Sequence, residues 1–397
     1  MRIHRLGKSI CWPIKTLEKI APFINLAPLF GRKKICRMAI SGFMHGKRAA
    51  CGVVLSALTL TGVRADVASD PAGFYQLTLL GSSDTFVSIP FSRPPAATAL
   101  VSSISSNVVT VQGAPGWTVN QFVYVSNTQT NTYYLRVLGS SKEGSYYPIL
   151  GNDTNSVTIN LGGDSLSAVT NGTMLAVVPY WTFATAFPSG HGIFGSPTAF
   201  SRKTEILIPN YTGVGINLSA AATYFFLSTD GTNGTWRKVG GGTTARNDDV
   251  LLPDVYFIVR HNVATNTTFR PMGGAAMSKL SSSLLTLTTN KQDNPVALIR
   301  PVPVSLNDSG LISSGAFVPS PTAFNRADEL LVIDNTTAGQ NKSASVTYYY
   351  LNTWRRVGGG TTDFGNDQVF TPGTGVIIRK RSTTNGVPSV WVSSPTY

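Results

Sequence analysis

The phrase Gly-Asp-Ser-Leu-Ser at 163–167 spells the nucleophile block of one class of serine esterases. Such a serine needs a base to take its proton and donors to hold the oxyanion. That class takes its base from Asp-x-x-His, whereas here Pro188 stands three before His191 and Ile258 three before His261. Ser165 therefore has no base within its motif, and the match reads as coincidence. His191 and His261 are the only histidines after residue 65, and all three cysteines (Cys11, Cys36, Cys51) lie before it. No ligand spacing for zinc arises from that inventory, and both histidines are expected on the surface or in loops.

Two further groups carry potential chemistry. TWRKVGGGTT at 235–244 returns as TWRRVGGGTT at 353–362. VGGGTT lacks the Gly-Lys-Ser/Thr continuation of a phosphate loop, so its glycines are expected to permit positive φ after a strand. Trp236 with Lys238, and Trp354 with Arg356, share a strand face by period-two alternation. An exposed Trp there could stack on a sugar, which makes Trp236 and Trp354 the weak ligand-binding candidates; burial in a core is the preferred reading. Arg202 with Glu205 recurs as Arg326 with Glu329, and Asp248 recurs as Asp367. These read as structural polar pairs that fix a corner of the fold. Asp230-Gly-Thr-Asn lacks the spaced ligands of a calcium loop. The sequence thus predicts no catalytic residue, no metal and no cofactor.

Charge is concentrated at the front. Residues 1–65 hold 12 of the 32 Lys and Arg and only Glu18 of the 19 acids, leaving 20 bases against 18 acids beyond. That near-balance predicts no nucleic-acid footprint. Residues 44–65, MHGKRAACGVVLSALTLTGVRA, have the basic start, apolar run and small-residue end of a secretory signal. Cleavage after Ala65 is expected, with Met44 as initiator. The apolar run is shorter than the roughly 20 residues that span a bilayer, so no transmembrane segment is expected in the mature chain.

The elements that must position these residues are strands. NVVTVQ (107–112), FVYVS (122–126), YYLRVL (133–138) and SVTINL (156–161) alternate with period two between turn residues. SPTAF at 196–200 matches 320–324, and GINLSAAATYFF (215–226) matches GQNKSASVTYYY (339–350). LSTDGTNGTW against LNTW marks a hairpin tip of variable length, pairing YFFL with TWRKV and YYYL with TWRRV. SDPAGFYQLTL (69–79) weakly echoes QDNPVALIRPV (292–302). The expected architecture is all-β: two duplicated β-sandwich-like modules with a small β-barrel-like domain inserted in the first. The boundaries are a leader (1–65), module 1 (66–94 and 180–270), the insert (95–179), a linker (271–290) and module 2 (291–397).

On DPAGFYQLTL, FSRPP, NQFVYV, NTYYLRV, EGSYYPIL, GDSLS, VVPYWT, GINLSAAATYFF and TPGTGVIIRK the chain resembles a family of uncharacterised exported proteins of Verrucomicrobia. The resemblance implies export and an all-β build, and carries no functional residue with it. The expected function is an exported structural or interaction protein of the periplasm, cell surface or extracellular space, without a catalytic site. Cell-envelope or polysaccharide components are its expected partners, and a carbohydrate-binding module using exposed aromatics is the alternative. An outer-membrane barrel is disfavoured because Pro395, Ser393 and Ser389 fall in register with Tyr397.

Overall fold

Alternating strands with one apolar face must be paired and covered, and the chain does this three times. The computed structural model describes residues 71–231 and 233–397, and the leader and signal expected over 1–65 lie outside them. Within that span the protein is all-β, with one α-helix of four residues, Phe183–Ala186, and one turn of 3-10 helix, Pro188–Gly190.

The first covering is a closed antiparallel barrel. Strands Ala97–Ser105, Val108–Val111, Ser156–Ile159, Tyr146–Asn152, Tyr133–Val137 and Met174–Pro179 pair in that order, and the last returns to the first. Register shifts at Val101/Ser103 and Ile149/Gly151 supply the bends that closure needs. Val101, Val109, Leu135, Val157, Ile159 and Val177 fill the interior. The stretch 122–126, expected as a strand, is a turn-rich loop instead. Its alternation is local: Phe122 enters the barrel core edge-on to Trp117, 5.2 Å between ring centres, while Tyr124 faces outward.

The other two coverings are five-stranded antiparallel sheets. One runs Thr235–Lys238, Ala220–Leu227, Thr204–Pro209, Phe257–His261, Ser83–Val87; the other runs Thr353–Arg356, Val346–Leu351, Glu329–Val332, Gly375–Lys380, Gln292–Ala297. The two orders correspond strand for strand. The aromatic hairpins pair Phe226 with Trp236 and Tyr350 with Trp354. Neither region is a sandwich of two full sheets: each buried face is capped by short ribbons and loops. The true counterpart of Gln292–Ala297 is Ser83–Val87, not 69–79, because those strands form the matching edges. Nor is 271–290 a linker. Met272–Gly274 pairs with Ala72–Phe74, and Leu280–Leu284 pairs with Ser389–Ser393, so the stretch belongs half to each sheet's surroundings.

An open sheet edge presents unpaired backbone groups, and here one edge of each sheet is closed by loops of the other sheet. On Ser83–Val87, the Asp84 N–H donates to Gly339 O (2.8 Å) and the Ser88 N–H, just beyond, to Gly373 O (2.9 Å). Between them the Asn335 side chain accepts from Phe86 N–H (2.9 Å) and donates to Phe86 O (2.8 Å). On Gln292–Ala297, Asp293 N–H donates to Gly215 O (2.9 Å) and Ala297 N–H to Asp254 O (2.8 Å). The middle position there is Pro295, which has no N–H to satisfy.

The same contact is fastened by charge. Arg260 binds Asp84 through two bonds of 2.7 Å and reaches Asn341, whose own N–H donates to Asp84. Arg379 binds Asp293 at 2.7 and 2.9 Å and reaches Asn217, whose N–H donates to Asp293. Asn217 and Asn341 take φ of 53° and 52°, a conformation asparagine tolerates better than most residues. Phe86, Tyr256, Ala297 and Ile333 pack between the sheets.

The barrel is tied to this pair. Tyr146 OH donates to Asp254 Oδ1 at 2.6 Å, and Glu143 accepts from Lys279 N–H at 3.0 Å. Loss of water raises the Asp254 pKa above the usual carboxylate range despite the bond from Tyr146.

Gly375 occupies the strand position equivalent to Tyr256, and a Cβ there would lie 2.3 Å from Tyr256 Cβ. Gly375→Val is expected to lower stability in chemical denaturation by about 1–3 kcal/mol, with a smaller loss when combined with Tyr256→Ala. An equal loss in both backgrounds would contradict this packing.

Candidate functional site

Trp236 and Trp354 are each 1 % exposed. Trp236 is enclosed by Phe183, Phe187 and Phe226 at ring-centre distances of 4.8, 5.6 and 5.7 Å, and Trp354 by Phe317 and Tyr350 at 5.0 and 5.5 Å. Neither ring can meet a ligand, so neither tryptophan is the sugar platform that its sequence position allowed. The cause is register: Trp236 lies opposite Phe226 on the inward face of its hairpin. The glycines that follow do take positive φ, at Gly240 and Gly242 (76° and 63°) and again at Gly358 and Gly360 (79° and 62°). This corner returns the chain so that Arg246 N–H donates to Trp236 O and Phe364 N–H to Trp354 O. By that correspondence Asp367 matches Asp249, not Asp248. Tyr224 OH donates to Asp249 at 2.8 Å and Tyr348 OH to Asp367 at 2.6 Å.

Arg202 pairs with Glu205 at 2.6 Å and Arg326 with Glu329 at 2.7 Å. Each arginine also donates to a loop carbonyl, Ala199 at 2.5 Å and Ala323 at 3.0 Å, and lies over an aromatic ring, Phe225 and Tyr349. Hydrogen bonds to a threonine hydroxyl tighten both loops: Thr198 accepts from Phe200 N–H and Ser201 N–H, and Thr322 from Asn325 N–H. At the tips stand Phe200 and Phe324, each 97 % exposed. Sequence reasoning passed over them. The available signal was that SPTAF repeats with its Phe intact inside a polar turn that offers no apolar alternation.

His261 is fully buried, against expectation, while His191 is exposed. Thr267 donates to Gly192 O at 2.6 Å and so must accept from His261 Nε2–H at 2.8 Å. Nδ1 then accepts from Thr204 OH at 2.9 Å, fixing a neutral ring. Burial lowers its pKa to about 4. In the second sheet the same two positions hold Asp328 and Lys380, a buried ion pair. Ser165 lies in an exposed barrel loop, where Asp164 accepts from Lys142 and Tyr147 and no histidine bonds to it. Among the described residues no group of His, Cys, Asp and Glu could hold a metal ion, and no helix is long and apolar enough to cross a membrane.

One concavity stands out. A cleft of about 720 Å³ opens between the barrel loop bearing Tyr124, Ser126 and Thr132 and the first sheet with its 244–252 loop. Tyr124 and Tyr211 line it at 41 % and 39 % exposure, and Ala221, Ala222 and Val250 add apolar surface. Tyr124 OH donates to Asp248 at 3.2 Å, and Arg246 faces Asp249 at 3.8 Å. At the equivalent place on the second sheet Phe364 replaces Arg246, and Arg356 lies over its ring at 4.7 Å. No sequence signal announced Tyr124, since its segment mimics a strand.

No protein-family model, curated protein or solved structure matches this chain.

His261 gains protons on unfolding because its folded pKa, about 4, lies below its unfolded value of about 6.5. Its contribution is complete above pH 6.5 and is lost as pH falls toward 4, about 3 kcal/mol in all. His261→Lys should destabilise at every pH, because it leaves an unpaired buried cation, and Thr204→Asp added to it should restore most of the loss. Thermal melts of the wild type and both variants across pH 4–8 check this; a double variant no better than the single one would contradict it.

Proposed function

We propose that this chain is an exported structural or interaction protein of the periplasm or cell surface, with no catalytic site. It comprises two copies of one β module, a small barrel being inserted in the first. The matched strand orders, the repeated phrases falling in the same order along both halves, and the reciprocal edge contacts all favour duplication. The resemblance to exported proteins of Verrucomicrobia is part of the same reading.

The observation that carries an interaction role is the pair of exposed phenylalanines. An apolar ring held at 97 % exposure gains no packing, yet both loops keep it while buried Thr204 and His261 correspond to Asp328 and Lys380. Each loop is braced by an Arg–Glu pair, so the ring is presented and not left to fold back. The loops precede the starts of Thr204–Pro209 and Glu329–Val332. Because Asn341, beyond the end of the second strand, reaches Asp84 and Arg260 beside the start of the first, the loops stand at opposite ends of the joined sheets. A protein so built can touch an envelope component at each end.

Phe200→Ser and Phe324→Ser are expected to leave the melting temperature unchanged, because neither ring is packed, and to reduce association with purified cell envelope. Each single change should weaken it and the double change abolish it; envelope binding untouched by the double variant would refute the role. A serine-directed covalent probe should leave Ser165 unlabelled, with mass spectrometry as the readout; labelling would overturn the non-catalytic reading.

A further inference from the structure

We infer that the cleft between the barrel and the first sheet binds a neutral oligosaccharide. The site is separate from the phenylalanine loops and does not depend on their role.

Its volume, about 720 Å³, falls in the range of small-ligand clefts. Its chemistry narrows the ligand. The charged side chains in the wall are Lys238, Arg246, Asp248 and Asp249, two of each sign. Asp249 is occupied by Tyr224 and Arg246, and Asp248 by the Tyr124 hydroxyl. A wall carrying two charges of each sign offers no net attraction to an ion. A lipid chain would cover the hydroxyls of Ser126, Thr132 and Thr244 without offering them hydrogen bonds, at a cost.

A polyhydroxylated ring with one apolar C–H face suits both halves of the lining. Tyr124 and Tyr211 provide half-exposed aromatic faces, and the bond to Asp248 holds Tyr124 in place instead of letting it collapse inward. Ser126, Thr132 and Thr244 bring hydroxyls that both donate and accept. The barrel supplies Tyr124, Ser126 and Thr132. The second sheet lacks that wall and is covered by Phe364 and Arg356, so one site per chain is expected.

The purified protein should be screened on an array of neutral and acidic glycans, with hits measured by isothermal titration calorimetry. Binding to neutral oligosaccharides is expected, at one site per chain. Tyr211→Ala should weaken it by roughly tenfold or more through loss of a stacking face. Ala222→Trp should fill the cleft and abolish binding, and Phe200→Ser should leave it intact. Circular dichroism of each variant separates lost binding from lost folding. A variant that misfolds is replaced by Tyr124→Phe, which keeps the ring and removes its hydroxyl bond and should weaken binding. Retention of acidic glycans alone, of none, or of neutral glycans with unchanged affinity in the folded cleft variants overturns the inference.

Discussion

Two sheet edges that close each other are the constraint on which this structure rests. A five-stranded sheet ending in Ser83–Val87 would expose outward-facing backbone groups at Asp84 and Phe86, and the other sheet would do so at Asp293. Each edge is satisfied by a loop projecting from the opposite sheet, and each loop is locked by an asparagine held against a bidentate Asp–Arg pair. Neither edge is complete without the other sheet, which makes the two halves one folding unit in energetic terms.

The contact is reciprocal but not symmetric, and the departures have physical reasons. Where Phe86 carries an N–H, Asn335 meets it; where Pro295 carries none, the residue that corresponds to Asn335 at the repeat offset of SPTAF is Tyr211, which lines the cleft. Where Tyr256 needs room, Gly375 provides it. Inside the cores, a neutral Thr204–His261 pair stands against a charged Asp328–Lys380 pair. Each set is self-consistent, and mixing one member from each would bury an unmatched charge.

Function follows from what the scaffold leaves outside. The Arg–Glu pairs are consumed in bracing loops, the tryptophans in filling cores, and the tyrosine–aspartate pairs in holding corners. What remains available is an aromatic tip at each end and a cleft that exists because the barrel leans a loop across one sheet. The barrel is thus part of the proposed site: Tyr124 and its loop form one wall of the cleft, a wall that the second sheet lacks where Phe364 and Arg356 cover it.

The amino-acid sequence by itself determined the all-β class, the aromatic hairpins, the positive-φ glycine corners and the barrel's approximate bounds. These follow from period-two alternation and turn chemistry, which act over a few residues, and from phrases that recur along the chain. It also suggested the Arg202–Glu205 and Arg326–Glu329 pairs, because they lie three apart after each SPTAF phrase. Only tertiary structure decided that Trp236 and Trp354 face inward, that His261 is a neutral core residue, that Met272–Gly274 and Leu280–Leu284 are paired strands and that Tyr124 borders a cleft. Those outcomes depend on which distant segment covers a given face. Alternation states that a strand has two faces; it does not state which one the rest of the chain will close.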